Sequence, residues 1–141
     1  DLKSGGPAGD DLHIQRRSLY VQTARWDRSG YAVLFDAANP DASADLRTVS
    51  TVAPQALWLL NHPFVQTQAE ALADRLLREE PHDADSRLKR ACLLLFGRPP
   101  LREESDVARS FLANAKGVNA KAAWTDLAHL LLCSNEFVFL D

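Results

Sequence analysis

The side chains best able to do chemistry in this chain are scattered rather than clustered. His13, His62, His82 and His129 show no His-x-x-x-His spacing, the interval that on a helix aims two imidazoles at one metal ion. Cys92 and Cys133 stand 41 positions apart and neither is followed by His, so the Cys-x-x-Cys-His attachment of a c-type haem is excluded. Each cysteine lies in a leucine-rich run, where a thiol serves as a small buried hydrophobe. A disulfide joining two neighbouring helices is the alternative, and two positions alone do not decide between them. A Gly-x-Ser-x-Gly elbow and a Gly-rich phosphate loop are both absent, which excludes the common hydrolase and nucleotide signatures. The acidic pairs Glu79-Glu80 and Glu103-Glu104 fall at a helix end and a helix start, where carboxylates are ordinarily solvated surface. Sequence spacing does not show the carboxyl separation of about 5 Å, or about 6.5 to 9.5 Å, that glycoside hydrolysis needs. No catalytic residue, metal site or cofactor is expected.

One polar concentration stands out. Arg16, Arg17, Arg25, Asp27, Arg28 and Arg47 are interleaved with Tyr20, Trp26 and Tyr31. Guanidinium forks can clamp a carboxylate or an acidic sugar, and aromatic faces beside them can stack on sugar C–H surfaces. Arg16, Arg17, Tyr20, Arg25, Trp26 and Asp27 are therefore the candidate binding residues. The plainer reading pairs these arginines with Asp36, Asp41 or Asp45 and with helix C-termini, so that they hold an irregular segment in place.

The bulk properties narrow the partners. The chain has 141 residues, 46% of them hydrophobic and 25% charged, which is ordinary globular composition and enough to bury one core. A net charge of −3 argues against nucleic-acid binding, which needs clustered Lys and Arg to displace counterions. No apolar run reaches the roughly 18 residues of a membrane span, and the opening residues lack a signal peptide's basic and apolar regions. With no initiating Met and the opening Asp1-Leu2-Lys3-Ser4-Gly5-Gly6-Pro7, the chain reads as an excised piece of a larger protein.

The elements follow from periodicity and punctuation. Residues 1–13 read as a flexible lead-in and 14–141 as a single helical domain. Residues 16–23 suit an extended arm, with Leu19 and Val21 on one side and Tyr20 on the other. Residues 31–35 read as a helical turn followed by a loop, and 48–51 as a brief strand-like stretch. From Pro54 the pattern turns helical: a short apolar helix to Asn61, then a break or restart at Pro63. Val65, Ala69, Leu72, Ala73, Leu76 and Leu77 fall at spacings 0, 4, 7, 8, 11 and 12, one face of a helix that Pro81 ends. Leu88, Ala91, Cys92, Leu95 and Phe96 mark the next helix, which Gly97 and Pro99-Pro100 stop. A further helix spans about Arg102 to Lys116, with the stripe Val107, Ala108, Phe111, Leu112 and Ala115. The last, about Ala120 to Cys133, carries Trp124, Leu127, Leu130, Leu131 and Leu132 and is expected to be central. The fold class expected is mainly α, a compact bundle of about four to five helices over 54–134 with an irregular or extended N-terminal third.

The order of several short motifs resembles the C-terminal domain of unknown function 1553 of planctomycete modular proteins, often associated with cytochrome c modules. The pieces are Gly5-Gly6-Pro7, Arg16-Arg17-Ser18-Leu19-Tyr20, Pro54-Gln55-Ala56-Leu57 running into Leu60-Asn61 and Pro63-Phe64-Val65, Phe96-Gly97-Arg98-Pro99-Pro100, and Ser134-Asn135-Glu136-Phe137. The resemblance implies a large, exported protein in which this domain follows another, and it brings no activity or catalytic residue. The chain departs from the family's pattern at two helix starts. His62 stands where a capping Ser or Asp is usual, and Leu101-Arg102 where Thr-Pro is usual, so both starts are expected to lose a side-chain cap. The function these readings imply is a non-catalytic structural or interaction domain that partners neighbouring domains of the same polypeptide. The alternative is part of a polysaccharide-active enzyme or carbohydrate-binding module.

Overall fold

A computed structural model describes residues 31–37, 53–115 and 119–139. The lead-in at 1–13, the extended arm at 16–23 and the stretch at 48–51 lie outside the described residues. Every element among the described residues is a helix: α1 (Tyr31–Leu34), α2 (Ala53–Asn61), α3 (Pro63–Glu79), α4 (Ala84–Phe96), α5 (Arg102–Asn114), α6 (Ala120–Leu132) and α7 (Asn135–Val138). The fold is mainly α, and α2 to α6 are the helices expected from the apolar stripes. The chain divides into two compact units, Asp1–Leu57 and Trp58–Asp141.

In the first unit, α1 ends on Asp36, whose φ of 55° is left-handed. The Ala37 amide donates to the Ala32 carbonyl at 2.8 Å and the Asp36 amide to the Val33 carbonyl, the paired bonds of a Schellman closure. Asp tolerates this backbone better than most side chains. Gln55, in the first turn of α2, is buried and donates from Nε2 to the Leu34 carbonyl at 2.8 Å, which satisfies one of α1's terminal acceptors.

In the second unit, each helix boundary has a local cause. A single residue, His62, separates α2 from α3, and Pro63 opens α3 at a first-turn position where its missing N–H costs nothing. Asp83 caps α4 by accepting from the Asp85 and Ser86 amides and the Ser86 hydroxyl. Gly97 closes α4 with φ of 70°. Asn119 caps α6, its Oδ1 accepting from the Lys121 amide at 3.0 Å.

Helices α3 and α6 share the most extensive packed face, and α6 also meets α4, α5 and α7, so the last long helix is central as its apolar content requires. Ala69, Ala73 and Ala128 are almost completely buried, and such small side chains allow close approach of backbones. The interior has two parts. One gathers Ala73, Leu76, Leu88, Ala91, Cys92, Ala108, Trp124 and Leu127; the other gathers Val65, Ala69, Ala128 and Leu132 beneath Trp58, Leu59 and Phe64.

Two residues placed on inward stripes face water instead. Val107 is 70% exposed and Leu130 is 51% exposed. Helix α5 meets the interior through Ala108, Phe111 and Leu112, spaced 0, 3 and 4, and Val107 lies one residue, about 100°, off that line. On α6 the buried face runs through Ala123, Trp124, Leu127, Ala128 and Leu132, and Leu130 lies about 110° from its middle, just outside its margin. Helix α7 is one turn long, too short for periodicity to announce it.

Candidate functional site

Arg16, Arg17, Tyr20, Arg25, Trp26 and Asp27, the candidate binding residues, all lie outside the described residues, as do Arg28 and Arg47. Among the described residues the densest polar constellation centres on Arg98. It sits just past Gly97, whose left-handed turn brings the chain off α4. Its Nε and Nη2 donate to the two Glu136 oxygens at 2.7 and 2.6 Å. Its Nη1 and Nη2 donate to the two Glu104 oxygens at 3.0 and 2.7 Å, and Nη1 also reaches the Pro99 carbonyl at 3.1 Å. A guanidinium has five N–H groups, and these contacts engage all five. The Phe96 ring lies 5.5 Å from the guanidinium carbon, within cation–π range.

This clasp joins the Phe96-Gly97-Arg98-Pro99-Pro100 segment to Ser134-Asn135-Glu136-Phe137, two of the segments that carry the family resemblance. It also corrects the reading of Glu104 as solvated surface, whereas Glu103 is exposed as expected. Glu104 is engaged twice, by Arg98 and by the Leu101 amide, which donates to its Oε2 at 2.7 Å. That second bond is one half of a capping box. The other half is missing because the Leu101 side chain has no acceptor, so the expected lost cap at α5 is half restored. Glu79 is likewise engaged, accepting from Arg75 and Arg90 at 2.8 and 2.7 Å.

The electrostatics follow from these bonds. Hydrogen bonding from Arg98 holds the Glu104 and Glu136 carboxyls below the usual carboxylate range and pushes the guanidinium's own pKa up. Bonds from Arg75 and then Arg90 do the same for Glu79. A general acid for glycoside cleavage needs a carboxyl that keeps its proton at working pH, which requires the opposite shift. These carboxylates are built to stay charged and paired.

Arg87 is the buried cation among the described residues of the unit, 8% exposed. Its Nε and Nη2 donate to the Glu80 and Pro81 carbonyls, both at 2.7 Å, and its guanidinium lies 5.1 Å from the Trp124 ring centroid. It satisfies acceptors at the end of α3 from the first turns of α4, while its flat face covers the principal aromatic of α6. Among the described residues no buried side-chain nitrogen or oxygen lacks a hydrogen-bond partner.

Both cysteines are free thiols, which decides between the two readings of the sequence. Burial pushes both upward from the ordinary thiol value, so neither is an activated nucleophile. Among the described residues, no group of three or more His, Cys, Asp or Glu could hold a metal ion, and no helix is long and apolar enough to cross a membrane. His62, expected to leave α3 uncapped, does cap it: its Nδ1 accepts from the Phe64 amide at 3.2 Å. Its ring stacks on Trp58, with centroids 4.3 Å apart. An imidazole reaches the same amide that a shorter Ser or Asp side chain would.

Sequence reasoning missed the Arg98 clasp. The available signal was local: Glu104 stands three residues after the helix-start position Leu101, the spacing at which a side chain reaches back to the start. No curated protein and no solved structure matches this chain. A family model matches residues 6–112, well over half of the 141, and on that match the chain belongs to PSD1, a family of proteins of unknown function (DUF1553).

Proposed function

We propose that this chain is a non-catalytic structural and interaction domain of a larger, exported modular protein, with its helical unit serving as scaffold for neighbouring domains. The observation that carries this reading is the internal use of its polar groups. All five Arg98 N–H groups are engaged within the chain. Arg87 is turned onto main-chain carbonyls and Trp124. Such contacts maintain shape and leave none of these donors aimed at a ligand. Export is an expectation carried by the family resemblance and belongs to the same proposal.

The test is a thermal-shift series on the full chain with neutral and acidic oligosaccharides, because a ligand that binds only the native state must raise its Tm. The expected outcome is an unchanged Tm at millimolar sugar. A dose-dependent rise that disappears in Trp26→Ala and in Arg16→Ala/Arg17→Ala would instead establish a carbohydrate-binding module.

A further inference from the structure

We propose that the corner between α2 and α3 is a pH-sensitive joint, in which His62 caps α3 while its ring is neutral and gives up the cap on taking a proton. The cap is a bond into a lone pair: Nδ1 accepts from the Phe64 amide at 3.2 Å. A proton on Nδ1 turns the acceptor into a donor that faces another donor. Asp or Ser at the same position would keep an acceptor, and imidazole is the side chain whose charge ordinarily changes between pH 5 and 8.

The first turn of α3 has no acidic residue. Helix α2 contributes no ionisable side chain, and the first on α3 is Glu70, two turns further along. The Trp58 stack holds the ring against α2 in either charge state, so the cap is the contact that changes.

Among the described residues, the end of α6 brings two titratable groups to this part of the fold. Cys133, just past α6, packs against the same part of the interior as Trp58 and Leu59. His129 places Nε2 3.1 Å from the Leu59 carbonyl. That contact needs a donor, which both the Nε2–H tautomer and the imidazolium supply. The two histidines of one corner therefore respond oppositely: acid removes the bond at α3 and leaves the bond at α2 intact.

The test is amide exchange of the full chain by NMR at pH 8 and pH 5.5, with protection factors corrected for the intrinsic rate. Protection of the Phe64 amide is expected to fall by roughly 3- to 30-fold at the lower pH, the range a side-chain cap spans. In His62→Asp, an acceptor at both pH values, protection is expected to stay high throughout; in His62→Ala it is expected to be low throughout. Equal Phe64 protection at the two pH values in the native chain overturns the proposal, as does the same acid-induced fall in His62→Ala.

Discussion

At the scale of single residues, the second unit turns on a few positions whose role is not interchangeable with their neighbours'. Gly97 is the clearest. A Cβ added there would meet no atom within 4 Å, so space is not the constraint; the φ of 70° is. Gly97→Ala is therefore expected to lower unfolding stability by about 1 to 2 kcal/mol, measured as a shift in urea midpoint, and Gly97→Asn by less. An alanine variant as stable as the native chain would mean that the closing turn of α4 tolerates a right-handed residue. Arg98 follows at once, so the same turn that stops the helix also aims the guanidinium at Glu104 and Glu136.

At the scale of elements, the helices were legible because their signals are local. The stripes of α3 and α4, the proline at the start of α3 and the glycine after α4 all act within a few residues of one another. The partners across the fold were not legible. Arg98 and Glu136 lie 38 positions apart, Lys121 and Asp74 lie 47 apart, and His129 and the Leu59 carbonyl 70 apart. Nothing in a helical period records which helix will lie alongside. The candidate sugar-binding group, drawn from residues 16–27, lies outside the described residues, and the polar centre that is described joins two segments that carry the family resemblance, with no sequence signal that pairs them. The half-formed capping box of α5 yields a prediction of its own. Leu101 is 55% exposed and contributes little to the interior, so Leu101→Ser supplies the missing acceptor at small cost. The variant is expected to be more stable than the native chain by roughly 0.5 to 2 kcal/mol in urea unfolding. A loss of stability would show that the leucine side chain contributes more than its exposure indicates.

At the scale of the whole molecule, the second unit is laced by carboxylates that the folded state keeps charged. Glu79, Asp83, Asp85, Glu104 and Glu136 are all held below their ordinary values, which are 4.5 for Glu and 3.8 for Asp, by the donors around them. A depressed folded-state pKa means that the unfolded chain takes up protons first. The stabilisation is then present above the ordinary values and is lost as pH falls below them. These carboxylates contribute no change in the urea midpoint from pH 7 to about pH 5, and below that the midpoint is expected to decline as they are protonated. The decline is expected to be shallower in Glu104→Gln/Glu136→Gln, and an identical pH profile in that variant would remove the Arg98 clasp from the explanation.

The central place of α6 has a consequence for how the chain comes off the ribosome. Trp124, Leu127, Ala128 and Leu132 cover the apolar face of α3, yet they are translated only after α4 and α5. Throughout that interval the emerging α3 stripe has only partial cover, from α4 and the end of α2, and holdase chaperones would find it there. A nonsense codon anywhere in α6 would leave that stripe without its main partner for the life of the polypeptide.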